Sequence, residues 1–428
     1  MSGLLDQAGL TAGSGLSNGA GLYRWGNFNP FDPTDLDPYL LFDTGAGSMI
    51  GTLENPTLDL DPSNQETLDV ITATRAGVAT YTDSANLIQV ASADTVRVDY
   101  VDGVPMILVE PSSVNLVTYS EDFSDSGWLK NAVGTGVAPV VTLNAAESPD
   151  GTQNAAKIVF DTGSGTSTGD ISSLEDLITV TNGASYTQSI YLKGETGGEK
   201  IQLRHVGGNT YTTVTLTNDW VRYKVTETAA ATGIYFSIGL RQGVGGVVIN
   251  SEITVYAYGA QLEAGSVATS YIPTSGSTVT RAADDLVISG SAFSSFFNAV
   301  EGTTYVETIP KSKANTPHLF EYYDASNANS NRMGSYIPAL GVNYYVVPGS
   351  CNESMGTINV NQLNRFAVSY KTNDMLGSVN GVSEQADTSA TLPSGVDTLS
   401  IGNMNTGASP MTGHIKRLLF WPTHSSRL

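Results

Sequence analysis

Tyr186-Thr187-Gln188-Ser189-Ile190-Tyr191-Leu192-Lys193 is the stretch from which the fold is read. As a strand it places Ser189, Tyr191 and Lys193 on one face and Ile190 and Leu192 on the other. Segments of similar character surround it at 155–160, 201–205, 220–225, 234–238 and 253–258, with turn residues between them. That spacing predicts an antiparallel sandwich over 112–274. No segment sustains a 3.6-residue apolar period, so less than about a tenth of the chain is expected to be helical.

Further along, 303–308, 319–323, 344–347, 365–370 and 415–421 have strand composition, and Asn380-Gly381 has the chemistry of a two-residue hairpin turn. They predict a second sandwich over 290–428, joined to the first by a linker at 275–289 whose Thr274-Ser275-Gly276-Ser277 suits a turn. Before the first sandwich, 71–111 alternates as a small β-meander with a turn at Asp102-Gly103. It is too small to bury both faces alone, so other copies of the chain are expected to complete it. A homo-oligomer is therefore expected, a trimer favoured. Residues 1–70 are rich in Gly, Asn, Pro and Asp, with Arg24 their single base. Such a segment buries too little for a large core. Its aromatics, Tyr23, Trp25, Phe28 and Phe31 among them, suit an extended arm that orders against a partner. The fold class is thus all-β: two antiparallel β-sandwiches (jelly rolls) preceded by an extended N-terminal arm and a small β-meander. Thr74-Arg75-Ala76 is echoed by Thr280-Arg281-Ala282, as if two modules opened alike.

Several phrases carry a resemblance. Asn115-Leu116-Val117-Thr118-Tyr119-Ser120-Glu121-Asp122-Phe123, the 186–193 stretch and Gln261-Leu262-Glu263-Ala264-Gly265 resemble jelly-roll carbohydrate-binding modules on phage spikes. Val96-Arg97-Val98-Asp99 stands where many phage fibres have Pro-Arg-Phe-Asp. Asn364 to Tyr370, Ser378-Val379-Asn380-Gly381 and Gly413 to Leu418 are similar to a concanavalin-like, or laminin-G-like, lectin domain. The resemblance implies a bacteriophage fibre or spike protein. It would be made in the host bacterial cytoplasm and act outside as part of the virion, on head or tail. The arm would dock onto head or tail proteins, and the sandwiches would adsorb to host cell-surface polysaccharide. The alternative is a polysaccharide-degrading spike, a depolymerase with an intersubunit active site.

Composition narrows the field. Forty-one acidic against 20 basic residues in 428 give a formal charge of −21. That disfavours nucleic acid as a partner, since phosphate binding needs clustered Lys and Arg. The N-terminus lacks the basic stretch and apolar core of a secretory signal, and no apolar run approaches the roughly 20 residues of a membrane span. The single Cys351 excludes an intrachain disulfide.

Catalytic chemistry finds no foothold. His205, His318, His414 and His424 form no i, i+4 metal pair, and no nucleophile elbow or phosphate-binding glycine loop occurs. Glu307 and Glu321 are isolated, whereas a glycosidase needs two carboxylates across the scissile bond. No catalytic residue is assigned, no enzyme is expected, and no cofactor is essential. The carbohydrate-module resemblance implies a structural calcium held by Glu121, Asp122 and Glu263. Tyr322-Tyr323 and Tyr344-Tyr345 would each turn one ring outward, where it could stack on a sugar.

Overall fold

The computed structural model describes residues 55–204, 211–244, 251–339, 341–347, 351–383 and 386–425. The docking residues Tyr23, Trp25, Phe28 and Phe31, and His205, lie outside the described residues. The described chain is all-β, with two helices of one turn each, Gln65–Leu68 and Gly290–Ser294.

The first sandwich has two five-stranded sheets. One runs, edge to edge, Val221–Thr228, Ser185–Gly194, Glu252–Ala264, Ala155–Asp161, Val137–Ala146. The other runs Tyr211–Thr215, Lys200–Arg204, Gly233–Arg241, Ile171–Thr179, Leu129–Val133. Ile190 and Leu192 turn into the core between them, with Phe160, Phe236, Ile238 and Val255. Ser189 and Tyr191 face the other way, towards Arg222. Glu252–Ala264 bulges opposite Ser189–Tyr191. Gly259 sits there at φ +64°, and a Cβ would press on the Tyr271 and Tyr191 rings at 3.2 and 3.3 Å.

The second sandwich differs from its expected boundaries. Its larger sheet runs Val382–Ser383, Asp374–Val379, Asn364–Lys371, Glu301–Pro310, Gly413–Trp421, Val104–Val109, Val98–Val101, and Leu58–Leu60 also pairs with Gly413–Trp421. Its other sheet runs Thr72–Thr74, Asp285–Ser289, Thr398–Ile401, His318–Tyr323, Arg332–Tyr336, Val342–Val347, Asn352–Gly356. Leu58, Leu60, Leu68, Ile107 and Val109 share one core with Leu286, Tyr322, Phe366 and Phe420. Segment 55–111 therefore supplies strands to the C-terminal sandwich, and the first sandwich is inserted within the second.

Three expectations are corrected. The strands at 98–109 are completed by the chain's own Gly413–Trp421, through Val109↔Gly413 and Ile107↔Ile415. The argument for other copies at 71–111 therefore lapses. Residues 55–70 are packed structure, since Leu58, Leu60 and Leu68 are buried. Segment 275–289 is no plain linker: Val279–Arg281 pairs with Ser113–Asn115, and Asp285–Ser289 is an interior strand. The turns expected at Asp102-Gly103 and Asn380-Gly381 have both residues at positive φ, as the tightest hairpin loops need.

Where the chain leaves the second sandwich for the first and returns, charges are buried. Arg97 donates to Glu110 at 2.9 Å and also to Asp284. Arg75 reaches Asp284 at 2.9 Å, and Arg281 lies 3.6 Å from Glu110. All five side chains are 2% exposed or less. The two Thr-Arg-Ala phrases thus deliver their arginines to a single site. Burial opposes ionisation of Glu110, but Arg281 and Arg97 outweigh it and hold the carboxyl well below its usual range. Glu110→Gln leaves the arginines short of a buried counter-charge. It should destabilise the protein by about 3–5 kcal/mol in urea unfolding, and a loss under 1 kcal/mol would show that the cluster does not hold the junction.

Candidate functional site

On a sandwich sheet, side chains at alternate positions face away from the core. In the sheet containing Ile171–Thr179, the outward set includes Ser173, Glu175, Gln202, Arg204, Tyr235 and Ser237. Register aligns Arg204, Ser237 and Glu175 in one cross-strand row, and Gln202, Gly239, Ser173 and Asn131 in the next. These outward polar groups are nonetheless buried: Ser173 is 4% exposed, Glu175 7%, Gln202 1% and Ser237 2%.

Glu175 organises the first row. Its Oε1 accepts from Ser173 Oγ at 2.9 Å and Ser237 Oγ at 3.3 Å, with Arg204 Nη1 at 3.9 Å. Arg204 lies over the Tyr235 ring, 4.9 Å from its centroid. In the second row Gln202 Oε1 accepts the Arg241 N–H at 2.7 Å, while its buried Nε2 has no partner among the described residues. Arg241 donates to Tyr211 Oη at 3.0 Å and stacks over that ring. Gly239 keeps the floor flat; a Cβ there would lie 2.4 Å from the Ser172 carbonyl oxygen. The face thus offers planar amides, a carboxylate, two arginines and two tyrosine rings. It suits a ligand rich in hydroxyls with apolar C–H faces. Glu175 is the face's single carboxylate among the described residues, one short of a glycosidase pair.

The residues expected to bind calcium have protein partners. Glu263 is buried and accepts from Ser113, Gln261 and Thr269. Glu121 accepts from Tyr271 Oη at 2.8 Å, and Asp122 caps the turn at Ser124. No group of three or more His, Cys, Asp or Glu able to hold a metal occurs among the described residues.

The tyrosines expected to meet sugar are mostly interior. Tyr322 and Tyr344 sit in the second sandwich's core, bonded to Thr304 and the Met375 carbonyl. Tyr345 turns to the opposite face but is covered by His318, Tyr336 and Arg332. Only Tyr323 is half-exposed, in an open groove of about 610 Å³ with Phe293 and Phe297. Alternation does send the second ring of each pair away from the core, but of the two only Tyr345 is covered by its neighbours.

Glu307 is held by Tyr305, Arg365 and Lys416, and Glu321 by Arg332 and the Asn405 N–H. His318 is buried beside Arg332, which brings its imidazole down to about 4, burial being the larger cause. His414 Nε2 pairs with Asp99 at 2.7 Å, and His424 lies 3.7 Å from Asp374.

The strands at 201–205 and 234–238 are legible in the sequence, but the face they build is not. Its signal is polar residues at alternate positions, at 173 and 175, 202 and 204, and 235 and 237.

No protein-family model matches the chain, and no curated protein matches it. Solved structures of similar shape include the CBM40 module of Ruminococcus gnavus IT-sialidase bound to α2,3-sialyllactose. It is 16% identical over 30% of this chain and 79% of that one, with a TM-score of 0.27. Domain 4 of AbnA, a GH43 extracellular arabinanase from Geobacillus stearothermophilus, in complex with arabinotriose, is 10% identical over 37% and 77%, at 0.28. The CBM22-1–CBM22-2 tandem domain from Paenibacillus barcinonensis Xyn10C is 10% identical over 74% and 100%, at 0.25. Among the described residues no helix is long and apolar enough to cross a membrane.

Asp176, next to Glu175 in sequence but on the strand's opposite side, reports on the sheet. Burial, then the nearby Asp125, raise its carboxyl from 3.8 to about 6. The folded state therefore holds this proton more tightly than the unfolded chain. Its contribution opposes folding increasingly between pH 3.8 and 6, and fully above. Asp176→Asn should raise the unfolding temperature at pH 7.5, with the gain gone below pH 4. A gain that does not vary with pH would refute the shift.

Proposed function

We propose that this chain is a non-enzymatic adhesive protein of a bacteriophage fibre or spike. It docks through its N-terminal arm and presents the outward face of the inserted sandwich to a host-surface glycan. One observation carries the binding role: the buried polar rows of Ser173, Glu175, Gln202 and Ser237, flanked by Arg204 and Tyr235. Burying polar side chains on an outward face costs stability unless they are paired. Gln202 Nε2, buried and without a partner among the described residues, is the donor we assign to a sugar hydroxyl. The virion setting rests on the phrases at 115–123, 186–193 and 261–265. Copy number on a particle would supply avidity to weak single sites.

A glycan array probed with the full chain, followed by calorimetry on any hit, tests the proposal. Gln202→Ala and Glu175→Gln should weaken binding at least about tenfold, the loss of one or two hydrogen bonds, with the fold of each variant checked by circular dichroism. Equal binding by both variants would remove the site from this face. Release of reducing ends from the bound polysaccharide would replace adhesion with hydrolysis.

A further inference from the structure

Between the two sandwiches lies a second polar feature that the glycan face does not use. A cavity of about 100 Å³ is lined by Lys311 of the second sandwich, Asp99 and Glu110 of the strands at 98–110, and Tyr191, Arg222 and Tyr271 of the first. Its acids are spoken for. Asp99 accepts from the Thr82 N–H at 2.5 Å and pairs with His414. Glu110 is taken by Arg97, Arg281 and Ser270.

The cations facing it are less well served. Lys311 is half-buried, and among the described residues its ammonium has neither an ion-pair nor a hydrogen-bond partner. Asp99 and Glu110 act on it only through space, and burial lowers its amine despite them. Arg222 donates to the Thr269 carbonyl at 2.6 Å and to Ser189 Oγ at 2.9 Å, but its buried Nε–H has no partner among the described residues. Both cations line the same cavity, and a buried donor left without a partner costs stability.

We propose that this cavity is a binding site for one small oxyanion, a carboxylate or a phosphate or sulfate group, held between Lys311 and Arg222. An ion of four or five heavy atoms suits a cavity of this size. Seated there, it touches both sandwiches and fixes the insert to the body of the second.

Thermal unfolding of the full chain in phosphate, sulfate or acetate, against chloride at matched ionic strength, tests this. Binding to the folded state alone should raise the unfolding temperature by a few degrees, growing with the logarithm of anion concentration. Calorimetric titration with phosphate should give one site per chain. Lys311→Met removes the charge and keeps the apolar stem. It should be at least as stable as the parent in chloride and gain nothing specific from phosphate. Phosphate and sulfate also stabilise proteins by exclusion from their surface. Equal gains in Lys311→Met and parent would therefore mean solvent exclusion only, and would overturn the site. So would the absence of any calorimetric heat, which would mean that the cavity holds water alone.

Discussion

Arg97 ties the molecule together because it stands where three segments meet. Its guanidinium takes Glu110, at the point of departure for the insert, and Asp284, just past its return. It also donates to the Thr80 carbonyl and to Ser270 Oγ, so the hairpin at 79–91 and the closing phrase of the insert share the same cation. Ion pairs this deeply buried contribute little net stability over an apolar isostere. What they supply is geometry. Arginine's planar fork accepts only one arrangement of carboxylates, and that arrangement sets the insert's position.

Around this anchor the junction is built from tyrosines and backbone. Ile88, Tyr258 and Tyr271 pack together under Tyr191 and Trp220, and the Ile88 N–H donates to the Pro149 carbonyl. Tyr258 Oη donates to Asp150, and Tyr271 Oη to Glu121. Burial, and then the carboxylate in each hydrogen bond, raises both phenols, so they remain neutral donors. Glu121 of the opening phrase thus orients the Tyr271 ring that seats the hairpin.

The parts of the fold that were legible were local. Ile190 and Leu192 face the core because alternation needs only the strand itself, and Asp102-Gly103 turns because those two residues tolerate positive φ. The insertion was not legible. Leu58 pairs with Phe420 and Thr74 with Asp285, and nothing in either short strand names its distant partner. The Thr-Arg-Ala echo was visible as a repeat of words, but its meaning, two arginines serving the same buried acids, appears only when the strands are placed. The candidate binding face was missed for a related reason. Its residues are ordinary within each strand, and become a site only when Glu175, Ser237 and Arg204 line up across three.

The insertion also sets a timetable for synthesis. Val104–Val109, with the apolar run Met106 to Val109, leaves the ribosome long before Gly413–Trp421, its neighbour on one side. The wait spans roughly 300 residues, or some 15 to 60 seconds at about 5–20 residues per second. Through that interval the nascent chain carries a sticky hairpin edge with nothing to cover it, while the inserted sandwich, whose strands pair among themselves, can already close. The body of the protein is thus the last part to form although its first strands are made first, and the nascent chain's exposure to chaperones and to neighbouring ribosomes falls in that gap.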